Sequence, residues 1–200
     1  MVKHDLKQIT AQFFTSRVRY KIMSLFYTSP SEFLHMRKIA RDIGEQINAV
    51  RRELISMEKT EFLISKKDGI RKYYTINPDF AFYNEFRSTI MKSYGVGHYL
   101  FKNRRKLGNI RYAILTHTYL NREKSDAQNL DLLIVGEPHI ETLEECIKEA
   151  ENVERREIFY YVISEKELEI NKRRRDPLIY SLTVLPKAMI IGREEDFVIN

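Results

Sequence analysis

Along the first eighty positions, apolar residues recur at helical spacing and then switch to the spacing of strands. Phe14, Val18, Ile22, Leu25 and Phe26 stand three and four residues apart, the stripe of an amphipathic helix. Thr15 or Ser16 can cap its start, and Ser29-Pro30-Ser31 ends it. A second, shorter set (Phe33, Met36, Ile39, Ala40 and Ile43) is followed by Gly44, which tolerates the left-handed backbone at which a helix stops. A third set, Ile47, Val50, Leu54 and Met57, predicts a helix close to residues 46–58, with Ile47, Val50 and Leu54 turned inward. Two short helices about a tight glycine turn make a helix-turn-helix. Residues 62–66 and 71–76 then read as strands joined by a hairpin turn at Asp68-Gly69 and closed by Asn77-Pro78. Three helices and a hairpin predict a winged helix-turn-helix, with its wing at 62–76.

The pattern changes character further on. Residues 79–106 read as mostly helical, with an aromatic stripe of Phe80, Phe82, Tyr83 and Phe86, then Ile90 and Met91, then Tyr99, Leu100 and Phe101. That stripe suits a core, a dimer interface or a nucleobase platform, with packing the commoner use of such residues. Gly95-Val96-Gly97 interrupts it and marks a domain boundary. Strands are predicted at 110–116, 129–136 and 157–163. Between the last two lies a helix over 140–153 that places Leu143, Cys146, Ile147 and Ala150 on one side. Ser164 with Glu167 three residues on has the form of a capping box, and Asp176-Pro177 breaks the helix that follows. The expected fold class is α+β: a winged helix-turn-helix over 1–80, a helical linker over 81–108 and a small mixed α/β domain over 109–200.

Charge is distributed unevenly over this plan. The 200 residues carry a net charge of +6. Residues 1–110 hold 21 Lys and Arg against 10 Asp and Glu, whereas residues 111–200 hold 13 against 18. A basic first half points to a polyanion, and an acidic second half does not. No apolar run approaches the roughly 20 residues that span a bilayer, and the start of the chain has no apolar signal segment, so no membrane is expected. The single cysteine, Cys146, excludes an internal disulfide and a zinc site built on a cysteine cluster, and the expected setting is cytoplasmic. His4, His35, His98, His117 and His139 show no ligand spacing, so neither metal nor cofactor is predicted.

With its apolar stripe inward, the third helix leaves Gln46, Asn48, Ala49, Arg51, Arg52 and Ser56 facing out. Gln, Asn and Arg are side chains that bond base edges in the major groove. The wing carries Lys66, Lys67, Arg71 and Lys72, suited to phosphates or the minor groove. Double-stranded DNA is therefore the expected partner, and a winged helix that binds protein is the competing reading. The charge runs Arg155-Arg156 and Lys172–Arg175 are either solvated faces or further backbone contacts.

The segment 33–82, with Met36-Arg37-Lys38-Ile39-Ala40-Arg41-Asp42-Ile43-Gly44, Val50-Arg51-Arg52-Glu53-Leu54 and Arg71-Lys72-Tyr73-Tyr74-Thr75-Ile76-Asn77, resembles the ArsR-like winged-helix regulators, in particular those fused to a nucleotidyltransferase-like domain. Glu45 departs from the apolar residue such sequences place there, which predicts an altered start of the recognition helix. The cysteine pairs of metal-sensing relatives are absent. Residues 110–197 are similar to the minimal nucleotidyltransferases, in which a Gly-Ser turn cradles phosphates and an Asp-x-Asp pair holds magnesium. The resemblance places those positions on His117, Thr118, Asn129 and Asp131, of which only Asp131 keeps the required residue, and no third carboxylate stands out beside Glu157 and Phe159. It implies a degenerate, inactive domain serving as scaffold, dimerisation surface or nucleotide sensor. Asp131 itself has either a capping role or a ligand role. The expected function is a homodimeric transcriptional regulator; the alternatives are an active nucleotidyltransferase carried by a winged helix and an antitoxin-like component of a two-protein system.

Overall fold

A computed structural model of the protein describes residues 16–30 and 32–197 and is mixed α+β. The chain divides into two compact units, the first running to Ile90 and the second from Met91.

In the first unit, helix α1 (Arg17–Thr28) is capped by Ser16, whose hydroxyl accepts the Arg19 N–H, and it ends at Ser29 before Pro30. Phe14, Thr15 and Ser31 lie outside the described residues. Ile22 and Phe26 are fully buried, but Val18 and Leu25 are only half-buried. The buried face also takes in Tyr20, Met23 and Tyr27.

The second apolar set does not start as a helix. Leu34–His35 form strand β1, and Phe33 stands before it, 37% exposed, so its helical spacing to Met36 is coincidental. Leu34 is the buried neighbour because strand residues alternate faces, and it lies opposite Tyr74 of the sheet. Helix α2 (Met36–Ile43) follows, with the His35 ring accepting the Arg37 N–H, and Gly44 stops it at φ +64. Helix α3 (Ile47–Lys59) buries Val50, Leu54 and Met57. Ile47, expected inside, is 41% exposed. It opens the helix, where the stripe runs past the surface on which it packs.

Strands β2 (Leu63–Asp68) and β3 (Arg71–Ile76) are antiparallel, and the sheet order is β1-β3-β2. Asp68 still pairs with Arg71, so the turn is Gly69-Ile70, one residue later than predicted. Gly69 takes φ +57 at the first loop position, as a tight hairpin requires. Behind the hairpin, the Phe62 ring lies 5.9 Å from Tyr27 and 5.4 Å from Phe80 in edge-on contacts. Phe82 of the predicted aromatic stripe is 57% exposed.

Helix α4 (Tyr83–Lys92) is followed by α5 (Gly95–Asn103). The Gly95-Val96-Gly97 triplet forms the first turn of α5 instead of interrupting a helix, and all three residues are buried. The second unit holds a four-stranded sheet of order β6-β5-β4-β7, from β4 (Gly108–Leu115), β5 (Leu132–Pro138), β6 (Tyr160–Ile163) and β7 (Ala188–Ile191). Strand β5 runs parallel to β6, and β4 is antiparallel to both its neighbours. Residues 112–115 and 132–135 are buried without alternation, so both faces of the central strands are covered. One face meets Leu168, Ile179, Leu182 and Phe197.

The predicted strand over 129–136 begins three residues late, and that over 110–116 ends early. Thr116 caps a five-residue helix, α6 (His117–Asn121), which sequence spacing did not reveal because one and a half turns are too short for periodicity. Helix α7 (Ile140–Glu154) buries Leu143, Cys146, Ile147 and Ala150 as expected. The Ser164–Glu167 capping box is formed at the start of α8 (Glu165–Arg173). Helix α8 has already ended at Arg173, with Arg175 at φ +52, before Asp176-Pro177. Pro177 instead opens α9 (Pro177–Val184), with Asp176 accepting the Leu178 and Ile179 N–H groups; α10 (Glu194–Phe197) follows β7.

Candidate nucleic-acid interface

The outward face of α3 follows from what its inward face buries. With Val50, Leu54 and Met57 committed to the core, Asn48, Arg51, Arg52, Ile55 and Lys59 are exposed, Ala49 is half-buried, and Gln46 is exposed just before the first turn. Gln46 makes no side-chain capping bond, so its amide is not used in closing the helix. Ser56 does not join this face: it is half-buried and accepts from Arg19 Nη2 at 3.4 Å. Arg19 also donates to Glu53 at 2.8 Å, tying α1 to the back of α3.

Glu45 has a structural reason. The Lys21 ammonium donates to the Ile43 carbonyl at 2.9 Å and to the Glu45 carboxylate at 2.5 Å, and Arg17 stands 3.8 Å from the same carboxylate. The hydrogen bond from Lys21 holds the Glu45 carboxyl below its usual range. A charged residue at this turn thus clamps α1 to the start of α3, a task an apolar residue performs by packing.

The cations of the unit divide into two groups. Arg19, Lys21, Lys38, Arg41 and Lys72 are paired with carboxylates. The side chains of Arg37, Arg51, Arg52, Lys59, Lys67 and Arg71 have no hydrogen bond or ion pair among the described residues. Lys66 is placed 3.8 Å above the Phe33 ring, which orders its chain while leaving it exposed. Of the predicted wing contacts, Lys72 is the one already engaged. It donates to Glu58 at 2.6 Å, and Ser65 donates to the same carboxylate at 2.5 Å. The Lys72 and Ser65 hydrogen bonds hold the Glu58 carboxyl below its usual range. Its stabilising contribution is therefore complete above the ordinary glutamate pKa and is lost as pH falls through the lowered one. The pair ties the hairpin to the end of α3. Glu58→Gln is expected to free the Lys72 ammonium and steepen the salt dependence of polyanion binding by about one counterion, measured by titration across ionic strengths.

In the second unit, Thr116, His117, Thr118 and Asn129 line one cleft of about 320 Å³ together with Leu130 and Leu178. Asn129 is exposed and bonds back to Asp126, while Thr118 is buried with its hydroxyl unpartnered. Asp131 does not line this cleft. Its side chain is fully enclosed and accepts from Arg156 Nη2 at 2.6 Å and from the Phe159 N–H at 3.1 Å. Arg156 also approaches Glu154, whose enclosed carboxylate pairs with Arg122 and accepts from the Tyr119 hydroxyl at 2.6 Å and the Val96 N–H at 3.0 Å. Burial and the Glu154 charge push the Tyr119 phenol far above its usual range, so it stays a donor. Asp131 is thus the end of a buried ion-pair chain, a role that neither of the two sequence readings offered. Glu157 is exposed on the surface, and Phe159 is half-buried. Arg155, Arg173, Arg174 and Arg175 are exposed, but Arg156 of the first predicted charge run belongs to the interior network.

Among the described residues, no helix is long and apolar enough to cross a membrane. No family model matches the chain, and no curated protein matches it in sequence. Among solved structures, the chain is similar to MepR, described as a transcription regulator of the Staphylococcus aureus multidrug efflux pump MepA. The identity is 18% over 44% of this chain and 69% of that one, with a TM-score of 0.37.

Proposed function

We propose that the chain is a DNA-binding transcriptional regulator of winged helix-turn-helix type, acting as a cytoplasmic homodimer on double-stranded DNA. The observation that carries this reading is the set of unpaired side chains Arg51, Arg52, Lys67 and Arg71 on α3 and the hairpin. Arg19, Lys21, Lys38, Arg41 and Lys72 are neutralised by neighbouring carboxylates, so the basic groups left for an external anion include these four, with Arg37 and Lys59 likewise unpaired among the described residues. Asn48, Arg51 and Arg52, with Gln46, face the groove, and Lys66, Lys67 and Arg71 reach the backbone. Lys72 joins them only when Glu58 releases it. The likeness of 33–82 to ArsR-like regulators supports the same assignment, with residues 1–80 as the DNA-binding domain and 81–108 as the linker. Two-fold symmetry would double the few base contacts one module makes.

The second unit is, in this proposal, a nucleotidyltransferase-like domain over 109–200 that performs no catalysis. The support is Asp131: its carboxylate is enclosed, paired with Arg156 and bonded by the Phe159 N–H, and it does not line the cleft that His117, Thr118 and Asn129 share.

The test is binding to duplexes selected from a random library, measured across salt concentrations. Lys67→Ala and Arg71→Ala are each expected to weaken binding to all sequences alike and to reduce the salt slope by about one. Unchanged affinity and slope in both variants would remove the DNA reading.

A further inference from the structure

Two large apolar side chains of α3 are exposed, Ile47 where the buried stripe runs past the core and Ile55 on the outward face. Ile47 is 41% and Ile55 53% exposed. Each is four residues from Arg51, so the three form a single row along one side of the helix. At 1.5 Å per residue, neighbours in the row are about 6 Å apart, close to two base steps. Isoleucine is a poor choice for a solvated helix position: it is β-branched and has no polar atom for water. It suits a surface that will be covered, and here the cover must also accommodate the unpaired guanidinium of Arg51 between the two.

The major groove satisfies both demands. An arginine bonds the O6 and N7 of guanine, and an aliphatic side chain packs on the C5-methyl of thymine. Ile47 occupies the first position of the helix, and the N-terminal residues of a recognition helix are the ones that meet base edges. We propose that Ile47 and Ile55 read thymine methyl groups on either side of the base contacted by Arg51, so that this chain selects a guanine with a thymine about two base steps away on each side. The inference rests on the DNA-binding reading and adds the base identities to it.

The experiment uses the full chain and duplexes selected by it from a random library, resynthesised with deoxyuridine replacing each thymidine in turn. That exchange removes one methyl group and leaves pairing intact. At two positions the exchange should weaken wild-type binding about fourfold, the value of one buried carbon. Ile47→Ala should abolish the loss at one of them and Ile55→Ala at the other, while Arg51→Ala leaves both losses in place. Equal penalties in wild type and the isoleucine variants, or no penalty at any thymine, would overturn the proposal while leaving DNA binding intact. An unchanged methyl pattern with a shift in sedimentation for Ile47→Ala would likewise overturn it, by placing the row between copies of the chain. Failure of the library to enrich any duplex would overturn both the proposal and the DNA reading.

Discussion

Glu154→Ala is expected to lower the unfolding free energy of the second unit by about 3–5 kcal/mol, the cost of removing one partner from a buried ion pair. The side chain of Glu154 is fully enclosed, and that of Arg122 is only 12% exposed. Deleting the carboxylate leaves the guanidinium of Arg122 with little water, strips the Tyr119 hydroxyl and the Val96 N–H of their acceptor, and removes one of the charges beside Arg156. Arg122 Nε is already without a partner, so the network has no reserve to absorb the loss. Glu154→Gln should cost less, since its amide oxygen can still accept from the phenol and the amide. Asn152→Ala, at an exposed position two residues earlier on α7, should stay within about 0.5 kcal/mol. Denaturant unfolding of the three variants checks this; a change below about 1 kcal/mol for Glu154→Ala would show that water reaches the network.

Arg51→Ala and Arg52→Ala are expected to weaken binding to a selected duplex by about 1–3 kcal/mol each, the cost of a lost base contact. The signature separating this from a phosphate contact is selectivity. Affinity for unrelated duplexes should change far less, and the base preference should relax at one position per variant. Both guanidinium groups are exposed and unpaired, so neither substitution removes a bond that holds the fold, and thermal stability should be unchanged. Competition titrations against selected and scrambled duplexes give the measurement. Equal losses on both duplexes would move Arg51 and Arg52 from base reading to backbone contact.

Much of the first unit was legible in the order of residues, because its signals are local. Ser16 as a cap, Gly44 as a stop, the inward run of Val50, Leu54 and Met57, and the paired strands of the hairpin each depend on neighbours within a few residues. The exposed positions Asn48, Arg51 and Arg52 were legible for the same reason: once one face of a helix is apolar, the opposite face is known. The elements that escaped include β1 and α6, too short to show a period, and α9, β7 and α10 beyond Asp176-Pro177, together with the exact position of the Gly69-Ile70 turn.

Only the tertiary structure decided which polar groups are spent inside the protein. Lys72 and Arg71 are adjacent in sequence and alike in charge, yet Lys72 is held by Glu58, fourteen residues away, and Arg71 is free among the described residues. Asp131 looks in sequence like a surviving metal ligand, but its partner Arg156 lies twenty-five residues on and comes to it only through folding. Ile47 fits a buried stripe by spacing and is exposed because the packed surface ends before it. Periodicity reports which face of an element is apolar, since that depends on the local geometry of the backbone. Whether a given charge or apolar group is covered depends on what the rest of the chain brings against it, and that is settled by contacts between residues far apart in sequence.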